Sequence, residues 1–462
     1  MEGITFVHIT GIALTLLLIV GCGIYSGRQV KSGDDFSGGG RNSGTAMVAG
    51  MIMGTLVGGS ATVGTAQLAY VHGFSACWFT FGSAIGCLFL GLFFSGRMYE
   101  SGEQTISSII VKEYGRKVGN AASVLGAVGI FINIVAQILA ASVLIESIFP
   151  IPAPAASLLA ILVMMAYVVF GGVKGAAMVG IVKLVLTYIS VVICGVLLMG
   201  KVGDLGGFLS GFSADGILTP FARGILTDGG AGLSVIIGVL STQSYVQAVL
   251  SAAGTKEARR GAIISAVLIP PIGCIGILIG LYMRANFPGL TPSAAFPQFV
   301  LNYMPPLLAG ITLATLLVVV VGAGAGLTLG ISTIFTRDIC QGMLNRKLDG
   351  KKSLMVSRAA IVAALVGAFT LTLGNMGSFI NNWSFMSMGL RGAAIFVPLC
   401  GACFLKGKIP KGAAYAAVII GPVMTLAGRF ILPAGIDPVF LGILAALLIF
   451  SAGALAGRRK MS

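Results

Sequence analysis

Thirteen long apolar stretches, almost free of charged residues, follow one another along this chain of 462 residues. A helix needs roughly 20 apolar residues to cross the hydrocarbon core of a bilayer, and segments such as 4–24 and 261–283 have that length. Because lipid offers the backbone no hydrogen-bond partners, apolar segments of this length form helices. With 56% hydrophobic residues, 9% charged residues and a mean hydropathy of +1.01, the sequence predicts an all-α integral membrane protein.

The apolar stretches predict about 13 transmembrane helices. They are expected near residues 4–26, 45–70, 75–97, 119–148, 154–172, 176–200, 229–252, 261–283, 306–335, 357–375, 381–404, 410–431 and 435–457.

The basic residues are distributed unevenly between the loops of this arrangement. With the N-terminus outside, the inner loops hold 23 of the 29 Lys and Arg residues, and the outer side keeps Lys201, Arg223, Arg284 and Arg429. This distribution follows the positive-inside rule. The net charge of +15 is therefore a topology signal, and we expect no nucleic-acid partner. The prediction is a multi-pass protein of the cell inner (plasma) membrane, with the N-terminus outside and the C-terminus in the cytoplasm.

Two local patterns have simple explanations. The first apolar segment lacks a basic start and a small-x-small cleavage site before Arg28, so we expect it to be retained rather than removed as a signal peptide. The eight cysteines lie mostly inside predicted helices, where they behave as small apolar residues. Cys400 and Cys403 form a CxxC pair without a second pair, so packing is favoured over a metal or redox site. We expect no metal, no cofactor and no catalytic residue.

Glycine and hydroxyl residues interrupt two of the predicted helices. Residues 54–64 (GTLVGGSATVG) interrupt the second helix, and residues 238–245 (GVLSTQSY) interrupt the seventh, five helices later. Corresponding interruptions in two halves of a membrane protein indicate an inverted repeat, with a binding site where the broken helices meet. The pattern therefore predicts a transporter of a small organic solute.

Several motifs occur in a defined order along the chain: 37–41 (SGGGR), 74–78 (FSACW), 171–175 (GGVKG), 252–260 (AAGTKEARR), 295–297 (AFP) with 304–306 (MPP), and 332–339 (STIFTRDI). With them the chain resembles the solute:sodium symporters, which have the leucine-transporter-type fold. The resemblance implies a 5+5 inverted repeat, helices 2–6 and 7–11, and sodium-driven uptake of a small organic solute. It divides the chain into a first helix and inner loop (1–44), a first repeat (45–200), an outer loop (201–228), a second repeat (229–405) and two C-terminal helices (406–462).

The same resemblance shows where this sequence departs from sodium-coupled relatives. In those relatives the ninth helix presents two adjacent hydroxyl residues to the ion, and counting back from Asp338 places Gly322 and Ala323 there. Sodium is a hard cation that prefers several oxygen ligands, and neither residue has a side-chain oxygen. Backbone carbonyls near Gly54 and Val57 remain as ligands. Sodium is the coupling ion that the family implies, and a proton or no ion at all are the alternatives that the residues suggest.

Two basic residues, Lys183 and Arg391, fall inside predicted helices, and no Asp or Glu lies deep in any span. Such charges cost about 2.5–3.5 kcal/mol on insertion scales and usually mark function. Lys183 either extends to the cytoplasmic interface or occupies the space of the sodium ion, held by carbonyls of the broken second helix. In the latter case it could release and regain a proton during transport. Arg391, about two turns below the outer end of its helix, either has an outer-gate or carbonyl-capping role or clamps a solute carboxylate.

Further polar residues are candidates for the solute cavity. Asn133 and Gln137 are four residues apart and hence on one face of the fourth helix, although each such residue alone also fits a bond between helices. The predicted solute site comprises Gly58, Gly59, Ser60, Gln67, Asn133, Gln137, Gln243, Ser244 and Arg391. The predicted ion site, or its replacement, comprises Gly54, Val57, Lys183, Gly322 and Ala323.

The sequence favours a transporter over three other classes. A membrane enzyme lacks support, because the spans contain no HExxH motif, no acid pair and no Ser–His pairing. A sensor or receptor is a more distant alternative, since only a few residues follow the last predicted helix. An ion channel would require a repeated filter in symmetric subunits. The expected partners are a small organic solute, a carboxylate or an amino acid, and the lipid bilayer, with no obligate protein partner.

Overall fold

The computed structural model describes residues 4–27, 41–212, 216–346 and 348–459. Most of the 37–41 motif lies outside the described residues. The helices are α1 (Phe6–Gly27), α2 (Thr45–Leu56), α3 (Val63–His72), α4 (Trp78–Phe89), α5 (Ser95–Glu100), α6 (Ile106–Tyr114), α7 (Arg116–Ile148), α8 (Ala153–Val202), α9 (Leu205–Ser210), α10 (Ile225–Leu240), α11 (Gln243–Leu250), α12 (Thr255–Asn286), α13 (Ala295–Tyr303), α14 (Pro306–Thr333), α15 (Gly350–Leu373), α16 (Ile380–Phe404), α17 (Lys411–Ile431) and α18 (Val439–Arg459).

The described residues form helices and no β-strand, apart from one isolated parallel bridge between Ser43 and Ala252. Within the described part of the chain, nine helical runs are long and apolar enough to cross a membrane, and the bent pair α10–α11 would be a tenth. The prediction of an all-α integral membrane protein is therefore confirmed, whereas the count of 13 spans stays a prediction. α9 lies in the predicted outer loop (201–228), and α13 lies between the helices predicted at 261–283 and 306–335.

The chain reverses direction at Gly73, although the residues around it are helical. Gly73 has a φ of 62°, a conformation that glycine adopts without strain, and a short 3₁₀ turn leads from α3 into α4. Thr65 on α3 and Thr80 on α4 both contact α12, at Gly276 and Gly273. Fifteen residues of straight helix would extend about 22 Å. Two contacts so close together on α12 therefore require α3 and α4 to run in opposite directions.

α8 is one run of helical residues where the sequence predicts two separate helices. No non-helical residues separate the two, and no proline is present between residues 169 and 179 to remove a helical hydrogen bond. Met164 and Lys183 nevertheless contact nearly the same level of α14, at Gly324 and Gly322. A straight helix would separate them by about 28 Å, so the chain turns back between Met164 and Lys183.

The centre of the bundle is formed by α7, α14 and α16. The apolar windows of these helices are 78–83% buried within the described protein, against 22% for α15 and 28% for α18. α15 and α18 therefore present most of their apolar surface to lipid, and α7, α14 and α16 supply the side chains that can form an internal site. Hereafter, "inner" denotes the end of the bundle that the basic loops predict to be cytoplasmic.

Candidate solute and ion sites

The second transmembrane segment is interrupted where the sequence predicts. α2 ends at Leu56 and α3 begins at Val63, so the last carbonyls of α2 and the first N–H groups of α3 have no helical partners. A Cβ on Gly58 would lie 2.5 Å from both the Cβ of Ala323 and the Oε1 of Gln137. A residue without a side chain is therefore needed for the unwound segment to approach α7 and α14 so closely.

The seventh segment is interrupted as well, because α10 ends at Leu240 and α11 begins at Gln243, with a bend of 41°. The backbone links the inner ends of the two interrupted segments. Ser43 N donates to the carbonyl of Ser251 at 3.0 Å, and Ala253 N donates to the carbonyl of Ser43 at 2.9 Å. The start of α2 and the end of α11 are thus joined directly at the inner side.

A connected set of buried polar groups surrounds the break between α2 and α3. Gln137 Oε1 accepts from Gly59 N at 2.8 Å, and Gln137 Nε2 donates to Asn133 Oδ1 at 3.3 Å. Ser384 Oγ donates to Asn133 Oδ1 at 3.0 Å and lies 2.5 Å from the Oγ of Ser60. We name Gly59, Ser60, Asn133, Gln137 and Ser384 the central cluster. It joins the unwound segment to α7 and α16.

Asn381 adds unused hydrogen-bonding capacity beside the central cluster. It is fully buried, and neither its Oδ1 nor its Nδ2 has a partner in the described part of the chain. It precedes Ser384 by three residues and therefore shares its face of α16, and its Oδ1 lies 2.5 Å from where a Cβ on Gly64 would be. A free donor and acceptor can bind a polar group of a solute. Sequence analysis missed Asn381 and Ser384, although their helical spacing to Arg391 was a usable signal.

Three residues of the predicted solute site have other partners. Gln67 Oε1 accepts from the backbone N–H of the first residue of α16 at 3.0 Å. Gln243 Oε1 accepts from the backbone N–H of Ile106, the first residue of α6, at 3.0 Å. Ser244 Oγ donates to the carbonyl of Gly326 at 3.1 Å. The structure thus does not bring Gln243 and Ser244 into the central cluster, because the bend between α10 and α11 directs them toward α6 and the inner half of α14.

Lys183 lies where α8, α2 and α14 meet, with 3% of its surface exposed. Its Nζ donates to the carbonyl of Gly54 in the last turn of α2 and lies 2.5 Å from where a Cβ on Gly322 would be. Ala323 and Val57 belong to the adjacent part of the break. No carboxylate in the described residues pairs with this ammonium. The ammonium points into the helix junction rather than toward the inner surface. This contradicts the hypothesis that Lys183 extends to the cytoplasmic interface.

Arg391 lies near the middle of α16, 11 residues after its first residue, which is about three turns and one turn deeper than predicted. Its side chain is fully buried, and Nε, Nη1 and Nη2 have no hydrogen-bond partner among the described residues. The stem packs on Gly129 of α7, where a side chain would leave no room. The carbonyl-capping hypothesis is therefore wrong, and the outer-gate hypothesis stays a prediction.

The inner end of the bundle is closed by Asp338, in the π-helical continuation of α14 (Ile334–Met343). Its carboxylate accepts from Thr105 Oγ1 and Ser123 Oγ, both at 3.1 Å, and also interacts with Ser107. We name Asp338, Thr105, Ser107 and Ser123 the inner closure. Thr105 caps α6, a short helix that the sequence does not reveal, so the inner closure ties α6, α7 and α14 together.

An ion pair at the outer end was also missed by the sequence analysis. α10 begins at Ile225 rather than near residue 229, so Asp228 lies in its first turn, where the helix dipole favours an acidic residue. Asp228 is fully buried, and its Oδ1 is 2.6 Å from Nη2 of Arg223. A cavity of about 260 Å³, also lined by Arg429 and Asp437, lies beside this pair between α10, α16, α17 and α18.

Interrupted helices that meet buried polar and cationic side chains, within a bundle of many membrane-spanning helices, define a secondary active transporter rather than an enzyme. The sequence model of the sodium:solute symporter family matches residues 36–421. This chain belongs to the sodium:solute symporter family, so the resemblance stated from its motifs is confirmed.

Individual relatives are distant in sequence but cover most of the chain. The chain is 23% identical to a sodium/glucose cotransporter of Vibrio parahaemolyticus, over 92% of this chain and 84% of that protein. It is 25% identical to the high-affinity choline transporter 1 of Drosophila melanogaster, over 92% of this chain and 71% of that protein. A solved Na⁺-coupled sialic acid symporter in a substrate-bound outward-open state superposes with a TM-score of 0.82 over 98% of each chain, at 18% identity.

Proposed function

We propose that this chain imports a small organic solute, a carboxylate or an amino acid, by alternating access, and that Lys183 occupies the place of a coupling sodium ion. The observation that carries the proposal is the position of the buried Lys183 ammonium, which donates to the carbonyl of Gly54 beside Gly322. Both are positions that the family resemblance assigns to the ion.

Two physical arguments support this role for Lys183. The C-terminal end of a helix carries a partial negative charge that favours a cation, and the ammonium lies at the C-terminal end of α2. Sodium would need oxygen ligands, but Gly322 and Ala323 offer none from their side chains. The Lys183 ammonium already fills the space beside Gly322, so a sodium ion and this ammonium would compete for one position. Uptake would then be proton-coupled or uncoupled.

The solute is proposed to bind at the central cluster together with Asn381. Gly58 and Gly59 bring the unwound segment close to α7, Gln137 and Asn133 hold it, and Asn381 retains a free amide. A solute held there would contact both the interrupted second segment and α16. A change in the angle of the interrupted segment would therefore change the contacts between the protein and the solute.

Residues 45–200 and 229–405 are proposed to be the two inverted repeats of a bundle with 13 spans. The two interruptions five helices apart and the reversals at Gly73 and within α8 support this arrangement. Residues 1–44, 201–228 and 406–462 would be the first helix with its loop, the outer loop and the two C-terminal helices. In alternating access, the second, third, seventh and eighth predicted spans (45–70, 75–97, 229–252 and 261–283) would rock against the others. The protein would do so in the cell inner (plasma) membrane.

Uptake by purified protein in proteoliposomes tests the proposal. The vesicles receive a panel of radiolabelled carboxylates, amino acids and sugars, with a sodium gradient, a proton gradient or neither. We expect accumulation of at least one carboxylate or amino acid that does not require sodium. A matched variant, Lys201→Gln, removes an outer lysine and should leave uptake unchanged, whereas Lys183→Gln should impair it. Absence of uptake of every solute would contradict the proposal.

Sodium-driven uptake is the second candidate, and membership of the sodium:solute symporter family favours it. Backbone carbonyls of α2 and α14 would then have to bind the ion without help from side-chain oxygens, and Lys183 would have to move. The two candidates differ in the panel experiment, because sodium-driven uptake disappears when sodium is replaced by N-methyl-glucamine.

A further inference from the structure

The guanidinium of Arg391 has no counter-charge and no hydrogen bond within the described residues. All three of its nitrogens are buried and unpaired. An uncompensated buried charge is strongly destabilising, and buried polar groups without a partner are rare in folded proteins. Five N–H donors on a fixed planar fork match an anion such as a carboxylate. The natural partner of Arg391 is therefore an anion supplied from outside the chain.

The position of Arg391 separates it from the central cluster. Three levels follow one another along α7 toward its inner end. Asn133 belongs to the central cluster, and the stem of Arg391 packs on Gly129 one turn further in. Ser123, which belongs to the inner closure, lies six residues beyond Gly129. On α16, Arg391 follows Ser384 by seven residues, or about 10 Å. Arg391 thus lies between the central cluster and the inner closure.

A second polar residue accompanies Arg391 at this level. Tyr245 of α11 is 1% exposed and lies within electrostatic range of the guanidinium. α11 is the inner half of the interrupted seventh segment, which the inner ends link to α2. A phenol and a guanidinium can donate to one anion together. Movement of α11 would change the distance between these two donors.

We propose that Arg391 and Tyr245 form a monovalent anion site between the central cluster and the inner closure, which takes a carboxylate or chloride. This goes beyond solute binding at the central cluster and rests on the proposed function in one respect: the carboxylate would be that of the solute on its inward path. The two sites are offset by about 6 Å along α7 and about 10 Å along α16, and we treat the anion at Arg391 as bound separately from a solute at the central cluster.

Thermal unfolding of the purified protein tests the site without a gradient or a known solute. The buffer is HEPES neutralised with N-methyl-glucamine, to which acetate, lactate, glutamate or chloride is added as its N-methyl-glucamine salt. Acetamide, lactamide and glutamine are the uncharged comparisons. A ligand that binds only the folded state raises the unfolding temperature. We expect carboxylates or chloride to raise it in a saturable way and their amides to have no such effect.

Variants assign the effect to Arg391. We expect Arg391→Gln to weaken the anion dependence by roughly 30-fold or more, Arg391→Lys to weaken it less, and Tyr245→Phe to weaken it detectably. Arg358→Gln, which removes an exposed arginine of α15, is the matched control and should behave as the unmodified protein. If Arg391→Gln does not fold, Arg391→Lys and Tyr245→Phe still decide the question.

The two possible sources of the anion are separated by competition. If chloride shifts the midpoint of the carboxylate titration, one site serves both, and if chloride has no effect the site is specific for carboxylates. Both results support the site. It is overturned if no anion stabilises the unmodified protein, or if the anion effect is the same in all Arg391 and Tyr245 variants. A failure of uptake would not affect this result, and loss of the anion effect would leave the transport proposal standing.

Discussion

Asn381 and Ser384 show how single residues of α16 create a site that sequence patterns conceal. The hydroxyl of Ser384 is hydrogen-bonded to Ser60 and Asn133. By contrast, neither Oδ1 nor Nδ2 of Asn381 has a partner among the described residues. The bound residues fix the geometry of the unwound segment, and the free one is available to a solute. A polar residue on a largely apolar helix is thus informative only when its partners are known.

Replacing Asn381 by alanine should weaken solute binding. The loss of one neutral hydrogen bond costs about 0.5–1.5 kcal/mol, or roughly 2- to 10-fold in affinity, and thermal stability should change little because no internal bond is lost. Competition binding with whichever radiolabelled solute the uptake panel identifies measures the effect. Asn382→Ala, at the exposed neighbouring position, is the control. Equal affinities of both variants and the unmodified protein would exclude Asn381 from the site.

The buried pair of Asp228 and Arg223 makes a different prediction, about stability. Asp228→Asn should lower the free energy of unfolding by about 3–5 kcal/mol, because it leaves the Arg223 guanidinium without its counter-charge. The control is Asp349→Asn, which breaks an exposed pair with Lys352 at 3.9 Å and should cost at most about 1 kcal/mol. Denaturant unfolding in detergent measures both, and similar losses in the two variants would contradict this account of the outer end.

At the scale of the helices, the sequence predicts what depends on local properties. Apolar length predicts the spans, and the glycine-rich runs predict the interruptions at Gly58 and near Ser241, because an unwound backbone in close contact needs small residues. The boundary predicted at residues 173–175 corresponds to a reversal of the chain within α8 rather than to non-helical residues. α6 is missed because nine residues with a weak pattern resemble any inner loop.

The difference between local properties and tertiary packing also explains which site residues the sequence could reveal. Gly59, Asn133 and Gln137 are brought together as expected, because they lie at an interruption and on one helix face. Gln243 and Ser244 carry the same kind of signal at the other interruption but point elsewhere. The direction of a bend between two half-helices depends on tertiary packing, here against α6 and α14, which no local pattern contains.

The inner closure yields a prediction for helix movement. Asp338→Asn replaces one acceptor oxygen by an N–H₂ group opposite the hydroxyls of Thr105 and Ser123, so the contact between α6, α7 and α14 should weaken. A cysteine at position 244, in a background without native cysteines, should then react faster with a thiol reagent applied from the inner side of membrane vesicles. Asp437→Asn at the outer end is the control. Unchanged reactivity would show that Asp338 does not restrain the inner end.

The charges predict the orientation of the whole molecule, because most Lys and Arg residues lie in loops that the sequence assigns to one side. The positive-inside rule then predicts a cytoplasmic C-terminus. A cysteine added after Ser462, with native cysteines removed, should resist impermeant thiol reagents in intact cells and react after permeabilisation. Ready labelling of intact cells would contradict both the orientation and the odd number of spans.

Within the described residues, Lys183 and Arg391 are buried cations of the bundle without a carboxylate partner, and our account of the whole transporter depends on both. Lys183 lies at the junction of α2, α8 and α14, and Arg391 lies between the central cluster and the inner closure. In our proposal, the positive charge of Lys183 removes the electrostatic need for sodium, and that of Arg391 attracts an anion. The chain belongs to the sodium:solute symporter family, and these two residues are where we propose that its chemistry differs from sodium-coupled transport.

Equilibrium binding of ²²Na⁺ to the purified protein tests the central claim most directly. The measurement is made on the unmodified protein, on Lys183→Gln and on the control Lys201→Gln, with and without a transported solute. The account predicts no saturable sodium binding to the unmodified protein or the control, because the Lys183 ammonium fills the position beside Gly54 and Gly322. Saturable sodium binding to the unmodified protein, with the same affinity in Lys183→Gln, would contradict it.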